Sequence, residues 1–338
     1  MFNIQQQPGQ AETALLETMG AVPAAEGEAA KKIEGRSPWR LAWERLRHDR
    51  AAMISLGIII LIVLVAIFAP VVAAITGHGV YQQFRGPQPP LGLSATDQPV
   101  GPGSAFLLGT DDQARDILVR IAYGARISLF VGVVATAVTV FGGLVIGLAA
   151  GFFGGWVDSV LARFLDWLLA VPFLLFAISL VSVVQIHPIG PLQPGLPVVI
   201  IVLGFFGWAA VGRIVRGQVL SIREKEYIEA ARALGAGPWR IMFIDILPNL
   251  LAQLIVYTTL LIPVTIVGEA SLSFLGVGIQ PPTADWGEMI SSASGIYLYG
   301  SWWYLLFPSL ALLITTLAFN IFGDGVRDAF DPRGNLFV

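Results

Sequence analysis

The sequence predicts an all-α protein that crosses a membrane six times, and two observations support this fold class. Of 338 residues, 55% are hydrophobic and only 13% are charged, whereas soluble globular chains carry about 25% charged residues. The charged residues also lie between long apolar stretches rather than within them. Because a membrane-spanning helix needs about 20 apolar residues, stretches of that length are expected to be spans.

Six apolar stretches have the required length, and each predicts one membrane-spanning helix. The third, fifth and sixth stretches contain Pro172, Pro263 and Pro308 respectively. A membrane helix tolerates a proline when neighbouring groups form a hydrogen bond with the backbone carbonyl that the proline leaves without a partner. Pro172 is expected to mark a kink that serves helix packing. The predicted spans are residues 53–75, 127–151, 164–185, 198–215, 250–277 and 302–322.

The basic residues predict which side of the membrane holds the termini. An even number of spans places both termini on one side, and all Lys and Arg residues fall on that side except Arg85, Arg115, Arg120 and Arg126. Cytoplasmic loops carry an excess of Lys and Arg, so both termini are expected in the cytoplasm.

The spans divide the chain into five expected segments. Residues 1–35 lack the apolar core of a signal peptide and are rich in Ala, Glu, Gln and Gly, which is typical of a disordered tail. The segments are a cytoplasmic tail 1–37, an N-terminal region with the first span 38–75, an external loop 76–126, a core 127–323 and a cytoplasmic C-terminal tail 324–338.

Composition excludes several kinds of active site. The chain has no Cys, so disulfides, thiolate metal sites and cysteine nucleophiles are excluded. His48, His78 and His187 are too scattered for a zinc-type cluster. The three lysines follow no Gly-rich loop, so a Walker A nucleotide cradle is absent. We therefore expect no catalytic residue, metal or cofactor in this chain, and no nucleic-acid partner.

The cytoplasmic loop 219–249 predicts a helical hairpin. Residues 224–234 are strong helix formers, with Tyr227, Ala231 and Leu234 on one face. Gly235 stands where a left-handed residue ends a helix, and a Gly-Pro pair then opens a second short helix.

Two interpretations of this hairpin are open. It is either an amphipathic connector on lipid headgroups or a docking surface for another protein. We favour docking, because the small Ala230 and Ala231 beside Glu229 allow a close approach, and a short rigid helix can pass a partner's displacement into the bundle.

The hairpin resembles the EAA loop of ABC importer permeases. Glu229-Ala230-Ala231 is followed after three residues by Gly235 and later by Leu247-Pro248. Asp245 stands where that pattern usually has Ile, which is expected to affect local packing. The resemblance implies a coupling helix that docks on a cytoplasmic ATPase subunit through Tyr227, Glu229, Ala230, Ala231, Leu234, Gly235 and Pro248.

Other segments are similar to the C-type permease of dipeptide, oligopeptide and nickel importers. They are residues 108–118, 123–128, 154–158, 272–282 with Trp286-Gly287, and 319–333, and the similarity covers about residues 38–333. Ala114 stands where the family usually has Gly. The external loop over residues 76–106 is longer than is usual in the family, and the extra length either contacts a binding protein or has no function.

The resemblance implies an architecture and a set of partners. The architecture is that of the type I importer permeases, in a bacterial or archaeal cytoplasmic membrane. The partners are a homologous permease, two ATPases that use ATP and Mg, an external solute-binding protein and membrane lipid. The solute implied is a peptide, with nickel or another small solute as the alternative.

Charged residues of alternating sign precede the second span. If this stretch is helical, Arg115 and Asp116 are expected to pair with Asp112 and Arg120 at helical spacing. A self-paired structural cap is the interpretation we favour. The alternative is a docking or gate surface for the binding protein, made by Asp111, Asp112, Arg115, Asp116 and Arg120.

Glu269 is the carboxylate that lies well inside a predicted span. An ionisable group in the membrane is a functional candidate, but we favour an interhelical anchor satisfied by Ser271 or by backbone near Gly268. A stand-alone secondary transporter is the competing class of protein. It is disfavoured because the spans lack charge pairs and related broken repeats.

Overall fold

The computed structural model describes residues 38–86, 89–187, 195–296 and 300–331. The chain divides into two units, Met1–Arg40 and Leu41–Val338, and the fold reported below is that of the second unit. The predicted disordered tail 1–37 and residues 332–338 of the predicted C-terminal tail lie outside the described residues.

The regular secondary structure of the described residues is helical. Two isolated β-bridges, Leu93 with Pro99 and Thr110 with Asp116, occur in the loop before the longest helix. The elements in chain order are α1 (Pro38–Leu46), α2 (Arg50–Ile67), α3 (Ala69–Thr76), α4 (Ile117–Phe153), α5 (Gly155–Ala170), α6 (Phe173–Ile186), α7 (Leu196–Arg223), α8 (Glu226–Ala233), α9 (Pro238–Arg240), a π-helical segment (Ile241–Ile246), α10 (Leu247–Phe274), α11 (Trp286–Ile296) and α12 (Trp302–Phe330).

Five of these helical stretches are long and apolar enough to cross a membrane, and the number is six if one bent pair counts as a span. The pair is α5 and α6, which meet at an angle of 84°. The kink predicted at Pro172 is therefore a break: Val171 and Pro172 both have extended backbone angles, because proline disfavours the helical conformation of the residue before it.

Several helix ends differ from the predicted span ends. The first span is interrupted at Phe68, and α4 begins at Ile117, so the final ten residues of the predicted external loop are helical. Helix α7 ends at Arg223, well beyond residue 215, where the sequence predicts the end of the span. Hydropathy detects the apolar middle of a helix but not polar turns that protein contacts stabilise.

Helices α4 and α7 form the centre of the bundle and lie parallel to each other. Gly147 of α4 faces α7 so closely that an added Cβ would lie 2.7 Å from Cβ of Val215. Gly151, one turn later, stands in the same relation to Val219. Small residues at four-residue spacing allow membrane helices to approach in this way, and hence α4 and α7 form one rigid pair.

The two ends of the α4–α7 pair carry different structures. At the end where α7 finishes, residues 224–246 form the hairpin of α8, α9 and the π-helical segment. At the end where α4 begins, the preceding loop and the start of α11 meet over its first turns. We call these the hairpin end and the network end.

The remaining helices pack around this pair and close the bundle. Helix α2 begins at Asp49, whose carboxylate accepts hydrogen bonds from the first backbone N–H groups, and Ala52 packs against Gly325 of α12. Arg126 of α4 donates to the carbonyl oxygens of Ala66 and Ile67 at the other end of α2.

Candidate functional site

The hairpin turns at Gly235 as the sequence predicts. Gly235 has φ of +81°, a conformation that costs a residue with Cβ about 1–2 kcal/mol. Its N–H donates to the carbonyl of Arg232 at 2.9 Å, and the N–H of Ala236 donates to that of Ala231 at 3.0 Å. This pair of bonds is the Schellman motif, which ends α8 sharply and sends the chain back into α9.

One face of α8 is fixed to the bundle by Ile228. This side chain has 0% exposure and packs with Val219, Ile246 and Leu250, so it joins the hairpin to α7 and α10. The sequence did not single out Ile228, although it lies beside the predicted face. Ala231 is partly buried against the same cluster.

The opposite face of the hairpin is open. Leu234 is 88% exposed, Trp239 66% and Tyr227 47%, and Glu229 and Ala230 are also exposed. The prediction that Tyr227, Ala231 and Leu234 act as one face is therefore wrong in part, because Ala231 packs on the bundle and Leu234 points away from it. Tyr227 is half exposed, and its hydroxyl accepts a hydrogen bond from Asn249 of α10 at 3.4 Å.

The π-helical segment connects the hairpin to α10. The N–H of Leu247 donates to the carbonyl of Met242, five residues back, and Pro248 follows with no N–H to donate. A wider turn at this point suits proline. Asp245, the residue that departs from the usual pattern, is partly buried here, and its carbonyl accepts from Asn249 at 2.7 Å.

Three arginines of α7 fix the hairpin end to neighbouring helices. Arg216 forms a two-point ion pair with Asp158 of α5, with Nη2 to Oδ2 at 2.7 Å. Arg213 pairs with Asp166 of the same helix. Arg223 donates to the carbonyl oxygens of Gly151 and Phe152, which have no partner within α4 at its end.

A buried charge network occupies the network end. Arg115 Nε donates to Asp111 Oδ2 at 2.6 Å, and Arg120 Nη2 donates to Glu288 Oε2 at 2.8 Å. Arg120 Nε also lies 3.3 Å from Asp111. Asp111, Arg115 and Arg120 are each at most 1% exposed.

The pairing predicted for this stretch is wrong. Residues 111–116 are not helical, so Arg115 pairs with Asp111 rather than Asp112. Arg120 pairs with Asp111 and Glu288 rather than Asp116. Asp112 instead accepts from the Tyr304 hydroxyl at 3.0 Å. Asp116 caps α4 and contacts His78 Nδ1 at 2.5 Å. Glu288 and Tyr304 lie far away in the sequence, and no pattern there indicates that they join this network.

Burial opposes ionisation of the two acids in this network. Desolvation raises the pKa of Asp111, against the opposing effect of Arg115 and Arg120. Burial likewise raises the pKa of Glu288, and Arg120 is the main opposing group. Each arginine is therefore needed to keep a neighbouring carboxylate charged.

Ala114 has the left-handed backbone conformation that glycine adopts most readily. Its φ is +61°, it is fully buried, and its carbonyl accepts from Phe84 of the preceding loop at 2.9 Å. The substitution therefore leaves the tight turn in place, with strain at a residue that carries a Cβ.

Glu269 lies near the end of α10 and is completely buried. Its Oε1 accepts a hydrogen bond from Ser273 at 2.8 Å. The predicted partner Ser271 instead donates to the carbonyl of Val267. The sequence predicts a hydroxyl partner for Glu269, but the partner is Ser273 rather than Ser271. A serine four residues later lies on the same side of the helix as Glu269, whereas one two residues later does not.

A cavity of about 540 Å3 lies beside the break between α5 and α6. Its walls include Pro172 and Phe206 on one side and Thr265 on the other. This is space enough for amino-acid side chains, and its walls are mostly apolar.

Comparison with known families decides the identity of this bundle. Residues 143–335, more than half of the chain, match the family model of the binding-protein-dependent transport system inner membrane component. The chain belongs to this family. Residues 37–90 of the permease also match the N-terminal transmembrane domain of oligopeptide transport permease C.

Curated relatives resemble this permease over most of both chains. The dipeptide transport system permease protein of Bacillus subtilis strain 168 is 39% identical, over 86% of this chain and 85% of its own. The oligopeptide transport system permease protein of the same organism is 40% identical, over 92% and 95%. That of Escherichia coli K12 is 39% identical, over 89% and 93%.

The family membership sets the general role of the molecule. It is a multi-pass membrane permease subunit of a transport system that depends on a binding protein. The hairpin, α7 and α10 lie inside the segment that matches the family model, whereas the network residues Asp111 and Arg120 precede it.

Proposed function

We propose that this permease forms half of a pathway for peptides in an ATP-driven importer. The observation that carries the proposal is the similarity of 39–40% over most of both chains to permeases named for dipeptides and oligopeptides. Another relative, 35% identical, is named for glutathione, which is itself a tripeptide. Nothing in the described residues favours nickel over peptides.

The energy is proposed to enter through the hairpin. The chain has no nucleotide cradle, so ATP and Mg are used by two cytoplasmic ATPase subunits. Leu234, Tyr227 and Trp239 present apolar surface on the open face of the hairpin, and Glu229 adds a charge there. An exposed apolar patch of this kind is typical of a protein interface.

The attachment of the hairpin suits a coupling element. Ile228 fixes its inner face to the bundle, and the Schellman motif at Gly235 fixes its turn. Arg216 and Arg223 connect α7 to the helices beside it. A displacement of the open face would therefore move α7 and α10 together rather than bend the hairpin.

The remaining partners and the orientation belong to the same proposal. A homologous permease completes the pathway, and an external binding protein delivers the solute at the network end. Both termini and the hairpin then face the cytoplasm of a bacterial or archaeal cell, and membrane lipid surrounds the bundle. Because Asp111, Arg115, Asp116 and Arg120 are buried, we assign them to a structural cap and leave docking to exposed residues of the loop 76–106.

A charge reversal in the hairpin tests this function. Glu229→Arg with Gly235→Pro is expected to abolish peptide uptake and co-purification of the ATPase while the permease still inserts. Thr96→Arg, at an exposed residue of the network end, is the matched control and is expected to retain ATPase binding. Normal uptake and normal co-purification in the double variant would show that coupling occurs elsewhere.

The substrate class needs its own measurement. With the cognate binding protein, labelled di- and oligopeptides are expected to accumulate in cells, and unlabelled peptides but not nickel are expected to compete. Uptake of nickel without competition by peptides would overturn the peptide assignment and leave the permease assignment intact.

A further inference from the structure

Two buried carboxyl groups lie together where α4, α10 and α11 meet. Glu269 belongs to α10 and Asp285 immediately precedes α11, and both side chains have 0% exposure. The backbone segments that carry them are in direct contact: a Cβ added to Gly287, two residues after Asp285, would lie 2.4 Å from the carbonyl oxygen of Ala270, the residue after Glu269. We propose that Glu269 and Asp285 form a proton-binding site, in which one proton joins the two carboxyl groups.

The hydrogen-bond donors around the pair leave one oxygen without a partner. The Ser273 hydroxyl donates to Glu269 Oε1 at 2.8 Å, and the Ser128 hydroxyl donates to Asp285 Oδ1 at 2.8 Å. Each hydroxyl has one proton and has therefore used it. Glu269 Oε2 is buried and has no hydrogen-bond partner among the described residues, although an unsatisfied buried acceptor is costly.

No cation among the described residues neutralises either group by an ion pair. Arg115 and Arg120, the nearest buried cations, are engaged by Asp111 and Glu288. Arg126 of α4 is directed to carbonyl groups at the end of α2. Two ionised carboxylates side by side would repel each other strongly in such a medium.

The surrounding groups indicate which carboxyl group holds the proton. Asp285 Oδ2 accepts from the backbone N–H of Glu288 at 3.0 Å, at the N-terminus of α11, where the helix dipole favours a negative charge. With Ser128 on its other oxygen, both oxygens of Asp285 already accept a hydrogen bond. Glu269 Oε2 accepts no hydrogen bond among the described residues, so in the proposed site this oxygen carries the proton and donates it to Asp285.

The site is too enclosed for a larger cation. The neighbouring cavities, one lined by Thr265 and Gly268 and one by Ala270, Ser271 and Gly287, are not lined by either carboxyl group. Two carboxylates also fall short of the several oxygen ligands that Ca²⁺ or Mg²⁺ requires. A proton fits where a metal ion or a peptide's ammonium group does not.

The shared proton joins three elements at the network end. Through Ser128, Asp285 and Glu269 it connects α4, the start of α11 and the end of α10. In the unfolded chain both acids are ionised at neutral pH, so unfolding releases the proton. This part of the protein is therefore expected to be most stable at acidic pH and to lose stability as the pH rises above the pKa of a free carboxylic acid, until the proton leaves the folded site.

Infrared difference spectroscopy of the purified complex tests the proposal. As the pH is raised from acidic to alkaline, the wild type is expected to lose a C=O stretching band of a protonated carboxylic acid. E269Q, which keeps the shape and a donor, is expected to lack that band and to show a smaller fall of its unfolding temperature over the same pH range. D97N, at an exposed acid of the loop, is the control that keeps the band.

A second variant guards against misfolding of the first. D285N is expected to shift the band, because the partner of Glu269 changes from a carboxylate to an amide. A band that is unchanged in both variants overturns the proposal. So does the absence of any such band in the wild type, or an unfolding temperature that falls on removal of sodium in the wild type but not in E269Q, since a metal ion would then occupy the site.

Discussion

The network end and the hairpin end of this permease differ in the side chains that they bury and expose. At the network end, Arg120 and Asp111 are at most 1% exposed and bond to each other or to Glu288. At the hairpin end, Leu234 is 88% exposed and Trp239 66%. The buried charges of the first end are paired within the chain, whereas the second exposes apolar surface that a partner would bury.

The difference separates structural charges from functional surface. A run of alternating charges in the sequence suggests a docking surface, but charges that pair inside the protein cannot also bind a partner. The open face of the hairpin combines apolar side chains with Glu229 and is held by a rigid attachment. Exposure, rather than charge, distinguishes the docking candidate.

Removal of Arg120 should have the largest effect. Arg120→Met leaves Asp111 with one cation and Glu288 with none, and breaking a buried ion pair from one side costs about 3–5 kcal/mol. The matched control is Arg85→Met, because Arg85 is exposed and donates to the backbone carbonyl of Asp112 rather than to a carboxylate. Denaturant unfolding in detergent measures both, and equal stability would show that the network is not what holds this end.

The two faces of α8 should respond differently to truncation. Ile228→Ala is expected to release the hairpin from the bundle, at a cost of about 2–5 kcal/mol for a buried isoleucine. Hydrogen exchange of the backbone of residues 226–233 measures this opening. Leu234→Ala should leave exchange unchanged and weaken ATPase binding. Equal exchange in the two variants would contradict the assignment of the faces.

The close contact between α4 and α7, which connects the two ends, is sensitive to added side-chain volume. Gly147→Ala places a Cβ 2.7 Å from Cβ of Val215, and such overpacking costs about 1–3 kcal/mol. Gly57→Ala in α2 is the control, since nothing lies within 4 Å of the added atom. Thermal unfolding compares them, and a Gly147→Ala variant as stable as the control would mean that α4 and α7 separate easily.

The smallest effect is expected at Ala114. Ala114→Gly removes the cost of a Cβ in the left-handed region and should stabilise the protein by about 1 kcal/mol. The loss of one buried methyl group acts in the opposite direction. A higher unfolding temperature than that of the wild type is the predicted result, and a lower one would show that the methyl group matters more than the backbone.

Much of the fold could be predicted from the sequence. Apolar length located the cores of the helices, and the Gly235 and Pro238 pattern predicted the hairpin turn, because these signals are local. The break at Pro172 was underestimated as a kink. The helical start at Ile117 was missed, since its first turns carry charges that are stabilised by contacts distant in the sequence.

The sites were predictable where chemistry is local and not where it depends on packing. Glu269 stands out in any hydropathy profile, but Asp285 lies in a loop and comes close to Glu269 only in the folded chain. Ile228 looks like any other apolar residue of α8 until Val219 and Leu250 pack against it. The spacing of Gly147 and Gly151 was a signal for the close α4–α7 contact and could have been noticed.

Crosslinking from the hairpin tests the central claim most directly, because the chain has no native cysteine. Leu234→Cys in the assembled importer is expected to crosslink to an ATPase subunit with a short bifunctional reagent, and Thr96→Cys at the network end is not. A crosslink from Thr96→Cys to the ATPase, or none from Leu234→Cys in a complex that transports peptide, would contradict the account.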